Sequence, residues 1–245
     1  MPHPFDPTDR RARPRRGFLA QLAAGAAAIA TAGIAAARPL VGATRRPPAG
    51  SPNDTASARG PWDLSWVDKL TAQHRQVFDS PEIADGAALD KARLYLAGFH
   101  EVYGTSDADV NSVIVVRHRA IPMVLADSVW ARYDFLADTT KLKDPTTGGK
   151  AKRNPFLGPK PDDKYSLVWS DAGLDTLIQR GVIVLACSLA LRGFAKQIAE
   201  HANTSADAVD DELRRSLVPG VILMPSGIFA VTRAEEAGCH SLSVA

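Results

Sequence analysis

The chain has 245 residues, 45% hydrophobic and 23% charged, a composition that fits one globular domain with extensions and excludes a chain disordered throughout. Its net charge of +2 is unevenly placed: residues 1–43 carry six Arg against two Asp, and the remainder carries 23 basic against 25 acidic residues. A mildly acidic folded part argues against a nucleic-acid binder, which needs a basic footprint on the domain itself.

At the N-terminus, Arg15-Arg16-Gly17-Phe18-Leu19 precedes an uncharged Ala/Gly-rich run from Ala20 to Ala37. A basic segment, an apolar run and small residues suited to cleavage describe an export signal. The paired Arg and the weak hydrophobicity of an Ala-rich core resemble twin-arginine signals, so residues 1–43 are expected to direct export, to the periplasm or beyond. Cleavage is expected at Ala35-Ala36-Ala37 or Val41-Gly42-Ala43. Left uncleaved, a run of about 20 apolar residues anchors a chain in the bilayer, but Ala and Gly make a poor permanent span. After cleavage no membrane association is expected. Residues 44–68 are rich in Pro, Gly, Ser and Arg without periodicity and read as a flexible linker, with Trp62 and Trp66 marking where order begins.

From residue 69 to 245 the pattern is that of a folded domain. His74–Asp79 is a short strand stopped by Ser80-Pro81, and Asp85–Tyr103 is a helix with Ala88, Ala92, Tyr95, Phe99 and Val102 at helical spacing. Val110–Val116 is an apolar strand, followed by a helix from Met123 to Phe135. Lys141–Lys164 breaks the rhythm with seven basic and three acidic residues, four Pro and three Gly. A loop of that length in a compact domain is functional or disordered. Leu174–Gln179 is a short helix before Gly181. Val182–Cys187 then reads as a strand buried on both faces, and Ser188 as the cap of a helix that buries Leu191, Phe194 and Ile198. Thr204 or Ser205 caps a helix with Val209, Leu213 and Leu217 in line, Gly220–Met224 is a strand, Ser226 caps a helix to Gly238, and Ser241–Val244 is a terminal strand. Strands alternating with helices predict a single three-layer α/β domain, with a mostly parallel sheet of about five strands and helices on both faces.

Parallel strands gather their carboxyl ends along one edge, where ligands bind in such sheets. That edge is expected to hold Asp79, Arg117-His118-Arg119, Cys187-Ser188 and Pro225-Ser226-Gly227. Two helix N-termini and two Arg suit an anion, and the N–H groups of a helix N-terminus favour a thiolate. Equally, Arg117 and Arg119 read as a solvated strand end, His118 as structural, Ser226-Gly227 as a plain helix start, and Cys187 as core packing. The six His are scattered, with no His-x-His and no Cys-x-x-Cys, so no metal is expected. There is no G-x-G-x-x-G after a strand, no P-loop and no G-x-S-x-G, and no other cofactor is expected.

Gly181-Val182 running through an apolar strand into Cys187, then a small apolar run and Leu191-Arg192-Gly193, resembles the sulfur-relay subunits of the DsrE/DsrF-like family. Met224-Pro225-Ser226-Gly227 resembles the late turn of that family, and Asn154-Pro155-Phe156 a feature of its exported members. The likeness extends loosely from His74 to the C-terminus. It implies a compact α/β domain, a persulfide carried on Cys187, and assembly as a homo-oligomer, trimer or hexamer. It further implies a small sulfur compound or a sulfur-carrier protein as partner. The export signal and the basic loop depart from the cytoplasmic relay subunits. Two readings therefore stand: sulfur handling at Cys187, and a non-catalytic small-anion-binding or scaffold module in which Cys187 packs the core. Cys187 ends its strand and Cys239 starts one, so parallel strands hold the sulfurs apart and both thiols are expected free.

Overall fold

A computed structural model of the protein describes residues 62–244. The expected export signal and most of the expected linker lie outside the described residues. The strands are β1 (His74–Ser80), β2 (Val110–Val116), β3 (Ile183–Cys187), β4 (Val221–Met224) and β5 (His240–Ser243). The α-helices are α1 (Ala87–Tyr103), α2 (Asp127–Arg132), α3 (Asp134–Thr140), α4 (Leu174–Gln179), α5 (Ser188–Ala202), α6 (Ala206–Arg215) and α7 (Gly227–Glu236).

The five strands form one sheet in the order β4-β3-β2-β1-β5, and every pairing is parallel. The chain steps one strand at a time from β1 to β4, then returns across the sheet to place β5 beside β1. Crossovers of one hand put helices made during the forward steps on one face and the returning helix on the other. The two cores agree. Phe78, Ile114, Val116, Val184 and Ala186 pack with α1, α4, α5 and α6 through Leu96, Leu177, Leu191 and Leu213. Their strand neighbours Val77, Val113, Val115, Ile183 and Leu185 pack beneath α7 with Ala230, Ala234 and Trp66. Alternate residues of β2 and β3 thus enter different cores, which is why both strands are apolar at successive positions. The result is the expected three-layer α/β domain.

Local differences have identifiable causes. The first long helix starts at Ala87 because Ala84, Asp85 and Gly86 all take the left-handed conformation, with φ of 41°, 51° and 80°. The helix expected over Met123–Phe135 is instead a 3-10 turn over His118–Val124 and two short helices. Pro122 sits inside that turn, and the extended backbone of Tyr133 (φ −116°, ψ 97°) separates α2 from α3. The cap of α5 is Cys187 and not Ser188; Ser205 and Ser226 cap α6 and α7 as expected.

The basic loop after α3 is tied down. Asn154 is fully buried, and its side-chain amide donates to the carbonyls of Met123 and Leu125, 2.8 Å each. Its Oδ1 accepts the Phe156 N–H at 2.9 Å, and Phe156 is fully buried against Gly86. Four of its seven basic residues face carboxylates: Lys150 on Asp138 (2.6 Å), Lys152 on Asp134, Arg153 on Asp163, and Lys160 near Asp127 (3.9 Å). The segment is a packed structural loop with much of its charge neutralised.

Candidate functional site

Chain leaving the carboxyl end of β3 enters α5 on one face of the sheet, whereas chain leaving the adjacent β4 enters α7 on the other. Such a divergence opens a crevice between neighbouring strand ends. Cys187 stands there, paired in register with Met224 of β4. On its other side Ala186 pairs with Val116, so Arg117 is the next residue alongside Cys187. The Cys187 Sγ accepts the Ala190 N–H at 3.4 Å, satisfying one of the unpaired donors of the first turn of α5. Only 6% of Cys187 is exposed.

Arg117 is held from two directions. Its Nε and Nη2 donate to Asp79 Oδ1 and Oδ2 at 2.7 and 2.8 Å, a bidentate pair that ties the ends of β1 and β2 together. These bonds push the Arg117 pKa above its ordinary value against the effect of burial, with smaller electrostatic contributions from Asp79 and Cys187. The stem of Arg117 passes over Gly227, where a Cβ would lie 2.6 Å from the Arg117 Cβ and Cδ. The absence of a side chain at Gly227 therefore admits Arg117 to the start of α7. Ser226 is occupied as the cap of α7, accepting the Phe229 N–H at 3.1 Å.

The remaining candidates face elsewhere. Ser188 is buried, and its Oγ accepts Arg214 Nη2 at 2.9 Å, while Arg214 Nε donates to Asp210 at 2.7 Å. Ser188 thus fastens α5 to α6. His118 and Arg119 turn outward beside Glu82, with closest charged-atom distances of 3.7 and 3.9 Å. Both line a groove of about 600 Å³ whose opposite wall is α5. The fold therefore groups Arg117, Cys187, Ser226 and Gly227 around the crevice and places His118 and Arg119 in a separate groove.

Sequence reasoning placed Asp79 at this edge without giving it a role, and it passed over Glu82 and Arg214. The i,i+4 spacing of Asp210 and Arg214 was visible. The contact of Arg214 with Ser188 spans 26 residues and leaves no local trace. Cys239 lies two intervening strands away from β3 and is free, as is Cys187. Burial pushes the Cys239 thiol up to about 11, with Arg75 opposing. Among the described residues, no three His, Cys, Asp or Glu side chains gather as metal ligands, and no helix is long and apolar enough to cross a membrane. No protein-family model matches the chain, and no curated protein matches its sequence.

Proposed function

We propose that the protein handles sulfur at Cys187, as a persulfide carrier of the DsrE-like kind. The observation that carries this reading is the position of Sγ: it caps α5 at the crevice between β3 and β4, in the row beside Arg117. In the loading step the Cys187 thiolate attacks the terminal sulfur of an inorganic polysulfide. A new S–S bond forms on Cys187, the bond to that terminal sulfur breaks, and the shortened polysulfide leaves with its two negative charges. Support comes from the Ala190 N–H, which donates to Sγ, and from the positive charge of Arg117, held by Asp79 in the neighbouring row; a hydrogen-bond donor and a cation near Cys187 favour anionic sulfur there. The same resemblance supports a homo-oligomer, trimer or hexamer, exported by the twin-arginine route. Precursor retained in the cytoplasm when Arg15 and Arg16 are both replaced by Lys is the expected result; unchanged export would reject that route.

One observation favours a second reading. At 6% exposure Cys187 also belongs to the core that holds Leu191 and Phe194. A small-anion-binding or scaffold module with Cys187 as packing would look the same at rest. Mass spectrometry of the native protein after incubation with polysulfide separates the two. Sulfur carriage predicts an adduct of one sulfur atom on Cys187, removed by dithiothreitol and absent from Cys187→Ser. No adduct, together with iodoacetamide labelling of Cys187 only after denaturation, would establish the packing role.

A further inference from the structure

The groove beside His118 and Arg119 has features that the Cys187 site does not use. Its volume of about 600 Å³ lies in the range of small-ligand pockets, about 300–1,000 Å³. Its apolar wall is Ile83 from the chain after β1, with Ala190 and Phe194 of α5. At its mouth stand Arg119 and His118, with Glu82 between them but too far from either for a hydrogen bond (3.9 and 3.7 Å). The Arg119 side chain is 74% exposed, and its Nε stands 3.9 Å from Glu82, beyond hydrogen-bond range.

Two further observations single out this place. Ala84 and His118 both line the groove, and both hold left-handed backbone, φ 41° and 50°, which non-glycine residues rarely adopt. Strain of that kind is retained where surrounding structure fixes a functional shape. The groove wall also includes Gly193, in the interior of the 15-residue α5, where glycine is the poorest residue after proline. A Cβ at Gly193 would meet no atom within 4 Å, so nothing in the chain itself requires a missing side chain there. The space is left open toward the groove.

We propose that this groove binds a small organic monocarboxylate, its compact apolar body against Ile83, Ala190, Gly193 and Phe194 and its carboxylate on Arg119 and His118. Arg119 and His118 face the single carboxylate of Glu82 and set the sign of the ligand; Thr139, Thr140 and Gln197 add neutral polar groups to the lining, and the apolar wall distinguishes the ligand from an inorganic anion. Binding here does not depend on sulfur chemistry at Cys187, so Cys187→Ser is expected to bind as the wild type does.

Isothermal titration of the full chain with hexanoate, and with hexylamine at matched ionic strength, tests the idea. Saturable one-to-one binding of hexanoate, at least tenfold tighter than hexylamine, is expected. Gly193→Leu fills the groove from a position with free space and improves helix propensity, so it is expected to keep or raise the melting temperature while weakening hexanoate at least tenfold. Arg119→Glu, at an exposed position, is expected to weaken it by a similar factor. Hexanoate bound no tighter than hexylamine would overturn the proposal, as would wild-type affinity in either variant.

Discussion

Gly227 and Arg117 occupy one another's space. A methyl group at 227 would press on the Arg117 stem at 2.6 Å, and the contact includes the Arg117 Cβ, fixed to the backbone just past β2, so the clash cannot be relieved by swinging a side-chain tip alone. Gly227→Ala is therefore expected to cost about 1–3 kcal/mol by overpacking. It is also expected to dislodge the guanidinium from Asp79. If Arg117 provides charge at Cys187, labelling of Cys187 by iodoacetamide in Gly227→Ala and in Arg117→Met should slow severalfold at neutral pH. Rates equal to wild type in Arg117→Met would show that the Asp79–Arg117 pair only joins β1 to β2. Ser188 makes the opposite point. Its sequence position suggested a helix cap near a ligand, but Cys187 performs the capping and Ser188 serves Arg214.

Among the elements, the loop between α3 and α4 carries most of the unexpected structure. Burial raises the pKa of Asp163, yet hydrogen bonds from Arg153, the Lys160 N–H and Thr146 outweigh it and hold the carboxyl below its ordinary value. Asp144 behaves alike: burial opposes, and the N–H groups of Thr147 and Thr146 with the Thr147 hydroxyl prevail. A carboxylate whose folded pKa is depressed contributes full stability above its unfolded pKa, about 3.9, and loses that contribution as pH falls through the folded value. Thermal stability is thus expected to hold from neutral pH down to about pH 5 and to decline below about pH 4. Asp163→Asn should be less stable at neutral pH and show a flatter acid limb in a series of melting curves. An acid limb as steep as that of the wild type would assign the acid sensitivity to other groups. Asn154→Ala leaves the Met123 and Leu125 carbonyls without their donor, an expected loss on the order of 2–3 kcal/mol in denaturant unfolding. The composition of this loop was plain in the sequence, but its order was not. Its anchoring partners lie up to 31 residues away, so no local period announces them.

Over the whole molecule, the two thiols test the sheet. Cys187 lies at the carboxyl end of β3, and Cys239 just precedes β5, with β2 and β1 between those strands. At about 4.8 Å per strand spacing, three spacings alone exceed the roughly 7 Å that a disulfide allows between Cα atoms. Two titratable thiols are expected in the denatured, unreduced protein; a peptide linking Cys187 to Cys239 would require a different strand order. Light scattering of the mature protein at micromolar concentration is expected to give the mass of a trimer or hexamer, and a monomer would end that part of the proposal.

The α/β alternation was legible because it is written locally. Successive apolar residues mark Val110–Val116 and Val182–Cys187 as doubly buried strands, helical spacing marks Ala88 to Val102, and Ser205 and Ser226 mark helix starts. Each signal depends on neighbours a few residues apart, as does the Cys at a strand-to-helix junction. The order β4-β3-β2-β1-β5 depends on the direction of each crossover, and it alone opens the crevice at β3 and β4. Whether Arg117, His118 and Arg119 act together was likewise a tertiary matter. Arg117 is drawn to Asp79 and Gly227 on the α7 side, while the left-handed turn at His118 sends the side chains of His118 and Arg119 to the groove against α5. Local sequence determined the elements and the chemistry available at their ends. Packing between residues far apart in the chain decided which of those ends meet, because burial and ion pairing reward contacts irrespective of sequence separation.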